Sequence, residues 1–599
     1  MSASLPTIER RTLFALWLVT GTLACLLCLY HFSATLVDGE FIPADHDSFY
    51  HAHRILDALD APLDLIQFDP LIHAPEGSWV TWPWAYDTAM AALAGALLGS
   101  GVVAEPMIAL AFVAPLWVYV NAALLLMIGV RLALPLPLLG LAMLCFATST
   151  LTRALHRVGM LDHHFIEYSF VLGVLLIGLR WFGDLARHRP ALLLGVMLGA
   201  APAFHSGMFI LQLPVLLSFA ALWLLGRNLP RRPAQLLAIA LTLSTLLMLL
   251  PSQPFMQGMF FYYLHSWFHL YIAICTSLFL VLLTMFARTP RNAIALLVLA
   301  IVAAIPVLRQ FLAGSDFVFG NLTGFEALYE TRTVWTWVMA GRWQHLNELY
   351  SGLVWLLPLA LLGLIAFTCK RPRNEQIFFA VSCVFGSALL LRQFRLEYFG
   401  SYALYLPWLV LIGAALQRWP QRRAVMLLAT AGVFVLAYLP SLNAARAALP
   451  PANDHQYLLL RDVYPILERH CAAEPGVVLA EHGDGHYITF HTMCGVIADN
   501  FILTPQHESK VVESNRLLGA DLDFVMQHAP WVRYIYVRRK DNIYDFPGCY
   551  PNCPENAGLR RELFAVDSDT DQRLELLFEK KIVRDGREEP FARAFRVVR

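Results

Sequence analysis

Apolar runs of about 20 residues recur from residue 12 to residue 441, separated by short polar or arginine-bearing connections, and each is long enough to cross a hydrocarbon layer ~30 Å thick. Arginine-rich connections fall at Arg10-Arg11, Arg131, Arg180 to Arg189, Arg227 to Arg232, Arg288 to Arg291, Lys370 to Arg373 and Arg418 to Arg423. Placing all of them on the cytoplasmic side predicts thirteen spans, at 12–36, 106–129, 133–151, 164–182, 190–205, 207–226, 235–251, 266–286, 294–310, 351–368, 377–391, 398–416 and 425–441. The run 88–103 would reverse the parity of every later loop if it crossed, so it is expected to be an interfacial or re-entrant helix in the first external loop. With the N-terminus inside, the residues after 441 lie outside. There the pattern changes to short apolar strands (Val477–Ala480, Val532–Val537, Ala594–Val598) with helical stretches at Leu458–Glu468 and Asn515–His528, which predicts a mixed α/β domain over 442–599.

Composition sharpens this picture. The chain of 599 residues is 58% hydrophobic and 15% charged, which excludes a wholly soluble protein. Lys plus Arg equal Asp plus Glu at 44 each, so no excess of positive charge points to a nucleic-acid partner. The expected setting is a bacterial plasma membrane, with the C-terminal domain periplasmic. Six of the ten cysteines lie in or beside apolar spans, while Cys471, Cys494, Cys549 and Cys553 lie in the external domain. An even number outside suits disulfides, and the Cys549-Tyr-Pro-Asn-Cys553 spacing leaves a metal site as the alternative.

Ionisable residues gather at span ends on one face. The first external loop reads Asp45-His-Asp47-Ser-Phe-Tyr50-His51, and the third span runs out into Arg153, His156, Arg157 and then Asp162-His163-His164-Phe-Ile-Glu167. Asp47, Asp162 and His164 form a mixed oxygen and nitrogen set suited to Mn or Mg and tolerant of Zn. Ionisable groups at the mouth of a span are costly to desolvate and mark a site by default. His205, His73, His265 and His269 are further nitrogen donors, each more readily explained by a structural hydrogen bond. Arg392 and Arg395 stand at an external junction against the positive-inside tendency, which suits a phosphate, although snorkelling to headgroups accounts for them equally. The segment 311–350 is the longest external connection between spans and carries Glu326, Glu330, Arg332, Arg342 and three tryptophans.

Five segments in order resemble the catalytic subunit of oligosaccharyltransferase in its single-subunit bacterial and archaeal forms. Asp47-Ser-Phe-Tyr50-His51 is similar to that family's first acidic motif, and Arg157 to Glu167 to its second. Ala327-Leu-Tyr-Glu330 resembles the motif of its fifth external loop, Arg395 matches an arginine that contacts the lipid pyrophosphate, and Val478 to Ile488 with Val496 to Asn500 continue the likeness. The resemblance implies a C-type glycosyltransferase fold, all-α in the membrane with about thirteen spans and an external α/β domain. It also implies transfer of a glycan from a polyprenyl phosphate or pyrophosphate carrier to a protein, glycan or lipid acceptor. In that reading Asp47, Asp162 and His164 hold a divalent metal and Asp47 also contacts the acceptor. Asp162 and Glu330 belong to the catalytic set, and Arg395, Arg392, Tyr50 and His205 bind substrate. The likeness breaks where the family has Trp-Trp-Asp-Tyr-Gly. This chain has Glu481-His-Gly-Asp484-Gly485, without the tryptophans that form a pocket for the sequon hydroxyl. A polyprenyl-monophosphate donor and a non-catalytic, glycan-binding relative are the alternative readings.

Overall fold

The computed structural model describes residues 8–61, 65–313, 333–370, 372–447, 456–539, 558–565, 572–584 and 587–598. Its contacts divide the chain into two compact units. The first comprises residues 1–32, 82–86 and 109–449, and the second 33–81, 87–108 and 450–599.

The first unit is helical. Each of the thirteen predicted apolar segments falls on helix, but they do not all have the length of a span. Among the described residues, ten helices are long and apolar enough to cross a membrane, from Arg10–Cys28 to Pro420–Asn443. An eleventh crossing is available if the pair Leu136–Thr148 and Thr150–His156, bent by 54°, counts as one broken span. The break lies at Ser149, whose extended backbone (φ −62°, ψ 135°) interrupts the helix inside the span expected at 133–151. Helices His188–Ala200 and Leu406–Arg418 have 13 residues each, about 20 Å at 1.5 Å per residue, and are flanked by 3-10 turns. The expected count of thirteen single spans is therefore reduced to ten or eleven by length. The first span also ends earlier than position 36, at Cys28.

The surface of these helices is apolar where a soluble protein would be polar. Helix Pro290–Ala313 buries little of its apolar surface, with Ile294 63% and Leu297 61% exposed, as suits a lipid-facing span. The chain is a multi-pass membrane protein. Inside the unit, polar side chains satisfy one another: Asn121 donates to the Phe165 carbonyl and to His156, and accepts from Ser169, which in turn accepts from Trp117. Backbone carbonyls in a membrane interior need partners of this kind.

The second unit is built on a mixed five-stranded sheet. Its strands are β1 (Val477–Leu479), β2 (Gly495–Val496), β3 (Val532–Arg538), β4 (Leu574–Arg584) and β5 (Arg587–Val597), in the order β2-β1-β3-β5-β4. The first three strands are parallel, and β5 pairs antiparallel with both β3 and β4. The predicted strands at 477, 532 and 594 are all present; β4, rich in charges, carries no alternating pattern that would have announced it. One face of the sheet packs against helices including Tyr464–Ala473 and Gly485–His491, and this core takes in Ile42 and Phe49 from the loop after the first span. Cys471 and Cys494 form a disulfide across it, while Cys549 and Cys553 lie outside the described residues. Of the run 88–103, residues 88–99 are helical, in Trp84–Gly99, and the helix stops there.

Candidate metal centre

The polar cluster read from the sequence is assembled at the start of helix His164–Gly183. Two tethers fix the loop that precedes it: the Val158 and Gly159 amides donate to the carbonyls of Cys28 and Ala111. Tyr86 donates its hydroxyl to the Leu161 carbonyl. The loop then delivers Asp162 and His163 into the interior, at 4% and 1% exposure.

Five side chains meet there. Asp162 Oδ1 accepts from the His163 amide at 2.7 Å and faces His163 Nδ1 at 2.8 Å, while Asp162 Oδ2 lies 3.0 Å from His164 Nε2. Glu167 is one turn along the helix, fully buried, and its Oε1 faces both His163 Nε2 at 2.9 Å and His205 Nδ1 at 3.1 Å. Glu167 Oε2 lies 3.3 Å from His164 Nδ1. His205 arrives from the turn between two 3-10 segments, held extended at φ −151°. Tyr398 donates its hydroxyl to Glu167 from the 3-10 segment Phe394–Phe399.

Electrostatics follow the geometry. Burial alone would raise the Asp162 carboxyl, but the two histidines beside it hold it well below the usual carboxylate range. Burial alone would lower the His163 imidazole, and the carboxylates of Asp162 and Glu167, one at each ring nitrogen, raise it instead.

The donor set fits a divalent cation. His163, Glu167 and His205 present one nitrogen or carboxylate oxygen each, all within 4.8 Å of one another. Two imidazoles and a carboxylate around one point suit Zn and tolerate Mn, and Asp162 and His164 close a second edge of the same cluster. His164, expected from the sequence as a ligand, lies against Asp162 and Glu167. A three-residue set within reach of one ion uses His163 and Glu167, which were not among the ligands expected from the sequence. The i, i+4 spacing of His163 and Glu167 on one helix face was the available signal.

The remaining expected residues are placed as follows. Asp47 lies in the second unit, in the first turn of helix His46–Asp60, whose N-cap Asp45 accepts from the Ser48 amide. Tyr50, on the same helix, is fully buried; its hydroxyl donates to Asp69 at 2.7 Å and its ring rests against Phe501 and His486. Arg392 ends helix Asn374–Arg392, and Arg395 sits in the 3-10 segment that also carries Tyr398, half-buried. That segment is pinned by a backbone-on-backbone approach. A Cβ at Gly386 would collide with the Phe399 carbonyl, and one at Gly400 with the Gly386 carbonyl. Glu326, Glu330 and Arg332 lie outside the described residues. His269 is structural: Nε2 donates to the Ser206 carbonyl and Nδ1 accepts from the Ser266 amide in a capping box. His265 packs beside it, with ring centroids 5.4 Å apart. His73, in the second unit, stacks on His507 and faces Asp499 at 3.3 Å.

The segment Glu481 to Gly485 is closed by ion pairs. Glu481 Oε2 meets Arg538 Nη2 at 2.8 Å, Asp484 Oδ2 accepts from Arg538 Nε at 3.2 Å, and Glu481 also pairs with Arg560. All four side chains are buried. Carboxylates committed in this way are not free to accept from an incoming hydroxyl.

Comparison with known proteins places the fold. No protein-family model matches the chain, and no curated protein matches it by sequence. Among solved structures it is similar to the archaeal oligosaccharyltransferase AglB of Archaeoglobus fulgidus in complex with an inhibitory peptide and a dolichol-phosphate. The TM-score is 0.72 at 16% identity, over 88% of this chain and 69% of that one. The same enzyme tethered to an acceptor peptide containing the NVT sequon gives 0.68 at 15% identity, over 88% and 69%. Its complex with Zn and sulfate gives 0.65 at 16% identity, over 87% and 68%. The fold is that of the oligosaccharyltransferases.

Proposed function

We propose that this chain is a metal-dependent, inverting glycosyltransferase of the oligosaccharyltransferase type. It moves a glycan from a polyprenyl phosphate or pyrophosphate to an acceptor at the outer face of the membrane. The observation that carries this is the buried cluster of Asp162, His163, His164, Glu167 and His205 at the mouth of a span, in a chain with this fold. The Zn and sulfate complex and the dolichol-phosphate complex of similar solved structures support a cation and a lipid-linked donor. The disulfide Cys471–Cys494 supports an oxidising compartment for the second unit.

In this reading the acceptor's nucleophilic atom attacks the anomeric carbon from the side opposite the phosphate. The bond from that carbon to the phosphate oxygen breaks with its electron pair, and the acceptor proton passes to a carboxylate. A divalent cation bound here would supply charge stabilisation for the departing phosphate oxygens. Asp162, His163, His164, Glu167 and His205 would hold it. Arg395, on the segment whose Tyr398 touches Glu167, neutralises the far side of the leaving group. The burial of Asp162, His163 and Glu167 limits water at the centre, which would otherwise compete as acceptor.

Asp47 and Glu330 extend the reading by expectation from the sequence. Tested separately, Asp47→Ala and Asp162→Ala should each abolish glycan transfer in cells while leaving the protein at normal abundance. Mass spectrometry of surface glycoproteins and lipid-linked glycans reads donor and acceptor together. Unchanged transfer in Asp162→Ala overturns the proposal.

A second reading concerns the acceptor alone. Because Glu481 and Asp484 are spent on Arg538 and Arg560, we infer that the acceptor is not selected by a sequon hydroxyl bound at this segment. Glycopeptides modified only at Asn-x-Ser/Thr would refute it. Whether the carrier that accumulates in a deletion strain is a monophosphate or a pyrophosphate separates the two donor classes.

A further inference from the structure

The arginines that the charge pattern placed on one side of the membrane converge, within the first unit, on an open groove of about 720 Å³. Leu13, Phe14 and Trp17 come from the first span, Leu126, Met127 and Val130 from the helix ending at Arg131, and Arg180 and Glu375 from two further helices. Phe14 is 60% exposed and Val130 42%, so an apolar wall faces outward instead of being covered by another helix. The volume lies within the range of ligand sites, roughly 300–1,000 Å³.

The rim carries unequal charge. Arg131 Nη2 donates to Glu375 Oε2 at 2.6 Å and makes long contacts to the Leu179 carbonyl, so its charge is largely answered. Arg180 forms no ion pair among the described residues; its nearest polar contact is a weak one to Met127 Sδ at 3.9 Å. Arg10 and Arg11, exposed, stand just before Leu13 on the helix that forms one wall. Two arginines thus share the rim of an apolar slot with one carboxylate, and only one of them is answered by it. The Arg131–Glu375 pair is itself built in. The guanidinium lies directly over Gly183, where a Cβ would have to displace the end of the Arg131 side chain.

We propose that this groove binds one anionic phospholipid, its phosphate held by Arg180 with Arg131 beside it and an acyl chain laid against Phe14, Trp17, Leu126 and Val130. A cation at the end of an apolar groove matches the two ends of such a lipid, and a zwitterionic lipid offers the same chain with a compensated headgroup. The inference is independent of the transferase reading.

The test is native mass spectrometry of the full chain in detergent, titrated with phosphatidylglycerol or with phosphatidylcholine. One phosphatidylglycerol should bind at about tenfold lower concentration than phosphatidylcholine, and Arg180→Gln should remove that preference. Val130→Trp leaves every charge in place but fills the slot, and should release the lipid from a protein that stays monodisperse. Equal binding of the two lipids overturns the proposal, as does unchanged phosphatidylglycerol binding in either variant. Competition by soluble glycerophosphoglycerol as strong as by the whole lipid would reduce the site to a phosphate contact and overturn the acyl-chain half.

Discussion

Substituting Glu167→Gln removes one negative charge from the centre of the cluster while keeping its shape. In the native side chain, Oε1 serves two imidazole nitrogens at once, His163 at 2.9 Å and His205 at 3.1 Å, and Oε2 faces His164 at 3.3 Å. An amide has one oxygen and one NH2 group, so whichever way it turns, at least one histidine nitrogen loses its acceptor. Even changes to the partners that orient metal ligands typically cost 10- to 100-fold in affinity, so that range is a lower bound for a ligand itself. With free metal at about 100 times the native dissociation constant, binding stabilises the native protein by ~2.7 kcal/mol. After a tenfold loss of affinity the same concentration gives ~1.4 kcal/mol, and after a hundredfold loss ~0.4 kcal/mol. The expected difference is therefore about 1.3–2.3 kcal/mol. The assay is thermal unfolding of purified protein with Mn, Zn or chelator, alongside calorimetric titration. Wild type should melt several degrees lower with chelator, and Glu167→Gln should lose most of that difference. If wild type is indifferent to chelator, or the variant binds metal as tightly as wild type, the cluster is a set of mutually satisfied ion pairs and the metal assignment fails.

Other expectations can be checked in the same preparations. In the second unit, burial lowers His73 to about 3 and His491 to about 4 from an ordinary 6.5, so both are neutral when folded and take up protons on unfolding. Their contribution is complete above about pH 6.5 and is lost as the pH falls toward those values. Acid titration followed by near-ultraviolet circular dichroism should show this slope, reduced in His491→Phe. The disulfide Cys471–Cys494 closes a loop over a separation of 23 residues, for which loop entropy predicts about 3 kcal/mol. The double alanine variant should therefore unfold at correspondingly lower denaturant, and equal midpoints would refute the estimate. Gly386→Ala forces its Cβ against the Phe399 carbonyl and should cost about 1–3 kcal/mol while displacing the segment that carries Arg395. A transfer assay should then show loss of activity greater than the loss of folded protein.

Long-period patterns were legible in the sequence, and short-range chemistry was legible where it is carried by adjacent residues. Apolar run length located the long helices of the first unit, because lipid allows the backbone no other partner than its own turns, but not the short helices Gln253–Met256, Val334–Met339 and Trp343–Tyr350 between them. It did not reveal the break at Ser149, where a single residue turns extended. Asp162 and His164 were found because they are two apart, whereas His205 reaches Glu167 from 38 positions away and only the turn after Ala203 aims it there. The closed pairing of Glu481 and Asp484 with Arg538 and Arg560 depends on sheet and helix packing that no local spacing encodes.

The second unit shares one core among stretches of chain far apart in synthesis order. Ile42 and Phe49 are packed with Tyr457, Leu460 and Tyr464, so the early stretch cannot reach its final packing until the ribosome has made almost everything between. At roughly 5–20 residues per second the leading portion waits on the order of tens of seconds, with Phe49 and its neighbours uncovered. A holding chaperone, or the bilayer surface itself, would have to shelter it meanwhile. Secreting the tail as an isolated fragment should for the same reason yield an incomplete, sticky product, which co-expression of residues 33–108 would rescue.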